Sequence, residues 1–342
     1  MLIQKVLPVS RGPFQTQSPF LFAVYHLDNY PPSRAQDGMG VQPALLHGRN
    51  LGMDFGNSDW NMYHGRLVPG FPQHPHCGFS TITLVRRGTV DHHDSLGSYG
   101  RFADGDTQWM DAGRGVSHSE MLPLLHAEEG KNTLDLFQIW LNLPRASKGC
   151  APNYTMQWRE QAVKARIKDS HGRIVQVETV AGQLEGWPAP QKPPQDNYAR
   201  DPENCVAIWV ISMDAGARWE IPAAPTGVNR SVIFFKGDEI NVGEYAVKRH
   251  ANMHVDASLP CPLHNTGTTP AELLMLQGRP IDEPVVQQGP FVTSSRPEMQ
   301  QAIQAYHRGH FGKWPFEQDD PVLPRESPRF AHYGDGREER PE

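Results

Sequence analysis

PGFPQHPHCGFSTITLVRRG, residues 69–88, carries two histidines one residue apart, His74 and His76, ahead of a β-branched run that Gly88 closes. Residues i and i+2 of a strand share a face, so both imidazoles can aim at one point while Pro75 and Cys77 face away. Neutral imidazoles converging inside a barrel repay their desolvation best by binding a metal.

Outward from this stretch the pattern continues as short strands between turns. TVDHHDSLG, GRFADGD, TQWMDAGRG and LDLFQIWLNL follow within residues 89–143. Their β-branched and aromatic positions, broken by Gly and Asp reversals, predict an all-β meander closing into a sandwich or barrel. From Arg173 the style repeats in RIVQVETVAG, CVAIWVISM, ARWEIPA, SVIFFKGD, EINVGEYAVK and AELLMLQGRP, which predicts a second β domain. The Pro-rich segment 184–204 cannot hold a ladder and is expected to be an exposed loop or insertion. One helix is expected in SSRPEMQQAIQAYHRG, residues 294–309, with Ser295 and Glu298 as a capping box and Gly309 at its end. The tail from about Gln318 reads as irregular cover or a frayed end.

Composition narrows the function classes. The chain has 342 residues, 38% hydrophobic and 20% charged, with 31 Gly and 31 Pro, enough for real cores and rich in turns. A net charge of −6 without a Lys/Arg block argues against direct nucleic-acid binding. Cys77, Cys150, Cys205 and Cys261 are far apart and form no C-x-x-C pair, which fits reduced thiols and a cytoplasmic location. No apolar run approaches the roughly 20 residues that span a bilayer, so no membrane association is expected.

A lone H-x-H is most often a surface or satisfied core pair. Here a second pair with the same spacing, His118 and Glu120 in AGRGVSHSEM, would complete three imidazoles and one carboxylate if its strand lay beside the first. That donor set leaves two octahedral positions open and suits Fe(II), with Ni, Co, Mn or Cu as substitutes, while the lack of thiolate disfavours structural zinc. In DHHD, residues 91–94, His92 and His93 face opposite sides of a strand and are expected near a turn and solvated. His250 and His254 are expected in a loop-like segment. Cys77 reads as a small packed side chain.

PGFPQHPHCGFSTITLVRRG, HHDSLGSYG, GDTQWMDAGRGVSHSEM and LFQIWLNLP, followed by LMLQGRPIDEPVVQQGPFVTSSRPEMQQAI, resemble the pirin family, the two-domain members of the cupin superfamily, over roughly residues 20–155 and 173–316. The resemblance implies two tandem cupin barrels, 1–155 with the metal and 156–342 without it, plus a short C-terminal helix. It also implies iron bound by His74, His76, His118 and Glu120. The second barrel agrees, since Pro222–Arg230, where a cupin would carry H-x-H, offers no histidine. Ser80 and Cys77 stand where the family usually has glutamate and arginine, which bears on the surroundings of the site and on substrate preference. Two activities follow from the resemblance. One is a quercetin 2,3-dioxygenase (flavonol 2,4-dioxygenase) acting on a flavonol with O₂ and releasing carbon monoxide, with Glu120 as base as well as, or instead of, a ligand. The other is a non-enzymatic, iron-dependent redox sensor or transcription cofactor working through protein partners. A monomer is the expected state, because two fused cupins can cover each other's sheets.

Overall fold

The computed structural model describes residues 1–9, 12–34 and 38–342. Its chain divides into two compact units, each built on β-sheet. The division is not a single cut near residue 155. Residues 24–139, 143–160 and 283–342 form the first barrel; residues 1–23, 140–142 and 161–282 form the second. Strand pairing explains this. Ile3–Pro8 pairs with Ala251–Asp256 in the second barrel, and Phe330–His332 pairs with Tyr99–Ala103 in the first.

The first barrel contains a six-stranded sheet in the order Glu338–Glu339, Phe330–His332, Tyr99–Ala103, Thr89–Asp94, Val116–Met121, Gly70–His76. The other sheet runs Asn153–Gln157, Thr107–Asp111, Phe79–Arg87, Asn132–Asn142, Phe20–Tyr30. Both sheets supply the apolar interior, in which Val85 and Met110 meet Val90, Phe102 and Val116. All of the expected meander strands form. Gly78, between the H-x-H strand and the β-branched one, has φ +84°, and a Cβ there would fall 1.8 Å from the carbonyl oxygen of Val292. Only glycine permits that approach.

The second barrel pairs seven strands with four. Trp209, Phe234, Met253, Leu273 and Met275 fill its interior. His254 lies in the strand Ala251–Asp256 rather than a loop, whereas His250 does precede it in irregular chain. Segment 184–204 carries no strand, only two single-turn 3₁₀ elements.

The helix forms at Arg296–His307, capped by Ser295, whose side chain accepts from the Glu298 amide. Glu298 reciprocates to the amide of Ser294, one residue earlier than a standard box. Cys77 packs with Phe291, Met299 and Phe311 beneath this helix, and burial pushes its thiol up to about 11. No disulfide joins any of the four cysteines. The tail is an ordered cover rather than a frayed end, as Phe330–His332 extends the six-stranded sheet. Among the described residues, no helix is long and apolar enough to cross a membrane.

Candidate metal centre

Strands Gly70–His76 and Val116–Met121 are antiparallel neighbours, and their register sets His74 opposite His118. Phe71 pairs with Glu120, so Pro72 and Gln73 form an irregularity in the ladder. Such a bulge re-aims the side chain that follows it. His74, His76 and His118 are thereby brought together, with one potential ligand atom of each lying within 4.8 Å of the others. Among the described residues this is the one group of three or more His, Cys, Asp or Glu able to surround an ion.

The triad is prepared for a cation. His118 is 0% exposed, and neither of its ring nitrogens has a hydrogen-bond partner. Leaving both orphaned is costly for a buried imidazole, and a metal would remove the cost on one side. His74 Nδ1 lies 2.8 Å from the Pro72 carbonyl. As that contact requires a proton on Nδ1, Nε2 is left with its lone pair free to ligate. Burial lowers His74 to about 4 and holds His76 and His118 well below the usual imidazole range, so all three are neutral at pH 7.

Glu120 stands beside this triad, with Oε2 3.9 Å from His118 Nε2. Both of its oxygens are engaged, Oε1 by Thr83 Oγ1 at 2.7 Å and Oε2 by Gln138 Nε2 at 2.9 Å. Thr83 Oγ1 is also 2.8 Å from Gln138 Oε1. One hydroxyl proton cannot serve two acceptors. A protonated Glu120 resolves the conflict: its O–H donates to Thr83, Thr83 to Gln138 Oε1, and Gln138 Nε2 back to Glu120. Burial, the largest influence on Glu120, likewise raises its pKa, although the Thr83 and Gln138 contacts oppose this.

Thr83 and Gln138 carry no motif. Thr83 could have been placed by alternation, since it follows Thr81 on one face of Phe79–Arg87, and Gln138 by being polar within an apolar strand. His92 and His93 are buried rather than solvated. His92 lies opposite Glu120 in the register, its ring centroid 5.4 Å from that of His118 and its Nε2 3.3 Å from Asp94. Ser80 lies on the other face of its strand from Thr83 and donates to Asp111 at 2.5 Å, so its replacement of the usual glutamate is directed away from the triad.

Around His74 the wall is aromatic. Phe71 lies 6.3 Å from His74 between ring centroids and stacks on Tyr63 at 5.0 Å. Phe55 touches Tyr63 and His64 and is 47% exposed.

Comparison with known proteins agrees with this architecture. Residues 51–141 match the Pirin family model and residues 208–312 match that of the Pirin C-terminal cupin domain. A Pseudomonas aeruginosa protein named "Putative quercetin 2,3-dioxygenase" is 34% identical over 245 residues, 71% of this chain and 79% of that one. Mouse Pirin is 32% identical over 246 residues, 70% of this chain and 77% of its own length. A crystal structure of quercetin 2,3-dioxygenase from Acinetobacter baumannii superposes with TM-score 0.67 at 23% identity, covering 91% of this chain and 96% of that one, a likeness of fold. The chain belongs to the pirin family of two-domain cupins.

Proposed function

We propose that the protein is a metal-dependent dioxygenase of quercetin-type flavonols, with Fe(II) held by His74, His76 and His118, and Glu120 as an additional ligand or as the base. The observation that carries the metal is the buried His118 with both ring nitrogens unpartnered beside two more neutral imidazoles. Held by those residues, a divalent iron would supply Lewis-acid and electron-transfer chemistry toward O₂ and an ionised hydroxyl.

The remaining chemistry belongs to the chain. Glu120, once ionised, accepts the 3-hydroxyl proton of the flavonol, and the Thr83–Gln138 contacts keep its carboxyl fixed as its charge changes. His74 keeps its ligating nitrogen oriented through Pro72. Phe71 and the exposed Phe55, backed by the buried Tyr63 ring, offer stacking surfaces to a flat polyphenol and screen the reacting ring from water. This wall favours the enzyme over a protein-binding sensor. The name of the Pseudomonas aeruginosa relative supports the same substrate class.

The test is direct. Protein loaded with Fe(II) is mixed with quercetin under air, and loss of flavonol absorbance and release of carbon monoxide are followed. Turnover well above that of His74→Ala is expected; equal rates would refute the reading.

A further inference from the structure

The irregularity at Pro72–Gln73 that swings His74 toward His118 takes Gln73 out of the regular ladder. Its amide is not left bare. Gln73 N–H donates to the carbonyl of Asp319 at 2.7 Å, 246 residues further along the chain.

That carbonyl sits in a strap that crosses the outer face of the six-stranded sheet. Ser95 Oγ donates to the carbonyl of Phe311, and Gly312, at φ +93°, passes so close that a Cβ would lie 2.6 Å from the Ser95 carbonyl. The Phe316 ring meets His93 edge-on at 4.8 Å, and Trp314 closes the loop by donating to the Gln318 carbonyl at 2.8 Å. Beyond Asp319, the Leu323 amide donates to Asp91 at 2.9 Å. Arg101, 2% exposed and paired with Asp91 at 2.7 Å, donates to the carbonyls of Leu323, Pro324, Arg325 and Ser327. The Asp319 carbonyl is thus held between two anchors, Phe316 on one side and the Asp91–Arg101 pair on the other. From residue 313 onward the strap lies beyond both matched family models.

We infer that this C-terminal strap is a positioning element of the metal centre: by taking up the amide of Gln73 it holds the bulge whose Pro72 carbonyl orients His74. The inference rests on the proposed metal site. Outer partners of ligating histidines commonly change metal affinity by about 10–100-fold when lost.

The test uses the full-length protein and Co(II), whose visible bands report ligand geometry. Wild type, Phe316→Ala and, as a strap control distant from the bulge, Arg340→Ala are titrated with Co(II), and the melting temperature of each metal-free protein is recorded. Phe316→Ala is expected to bind Co(II) roughly tenfold more weakly, with altered bands, while Arg340→Ala matches wild type. Unchanged affinity and bands in folded Phe316→Ala would overturn the inference. Hydrogen exchange in the wild-type peptide spanning residues 70–78 gives a measurement that no variant can confound. Slow exchange at Gln73 is expected, and exchange as fast as in an open turn would also overturn the strap. Failure of wild type to bind Co(II) would instead sink the metal site itself.

Discussion

Metal loading should release few protons, and the number can be worked out from burial. An imidazole at its ordinary value near 6.5 carries about three-quarters of a proton at pH 6, so three such ligands would give up roughly 2.3 protons on binding a cation. In this site burial lowers His74 to about 4 and holds His76 and His118 well below the usual range. At pH 6 those three rings are already neutral, and together they have almost nothing to release. Glu120 is the opposite case, since burial raises its pKa and its bonding ring is complete only in the protonated form. Binding that recruits its carboxylate therefore releases about one proton, and binding that leaves it as a bystander releases about none. Calorimetric titration with Co(II) at pH 6 in buffers of different ionisation enthalpy reads this number directly. The expected result is one proton or fewer in wild type and close to zero in Glu120→Gln. Release of two or more would show that the histidines titrate as solvated groups and would refute the prepared-triad argument.

Two further outcomes follow from the same contacts. Arg101→Met leaves Asp91 buried without its partner and releases the carbonyls of Leu323, Pro324, Arg325 and Ser327, so it should cost about 3–5 kcal/mol in urea unfolding; a loss under ~1 kcal/mol would contradict the anchoring. Thr83→Val removes a hydroxyl that accepts from protonated Glu120 but turns to donate a stronger, charge-assisted bond once the carboxyl ionises, so the acid limb of kcat/KM for quercetin should move to higher pH with Co(II) affinity little altered. An unmoved limb would remove Glu120 from the role of base.

How much of this was legible in the sequence depends on the range over which each feature is decided. The alternation around His74 and His76, and again around His118 and Glu120, is local, and it placed those residues on strands whose register then brings the three histidines together. What joins them in space is pairing between strands 40 residues apart, and here the family motifs supplied what spacing could not. The bulge at Pro72–Gln73 has no local signature beyond the prolines around it, yet it determines where His74 points. The DHHD segment shows the limit most clearly. Beside a turn, His93 reads as solvated, and what buries it is Phe316 from a segment more than 200 residues away. The tail itself reads as irregular cover or a frayed end because, beside distant side-chain contacts such as Phe316 on His93, many of its anchors are backbone carbonyls offered to Arg101 and to Gln73, and a carbonyl is the same in every residue. A chain segment that acts through its backbone leaves no trace in side-chain pattern. The three-histidine cluster could therefore be read from the sequence and its family motifs, while the elements that aim it became visible only in the fold.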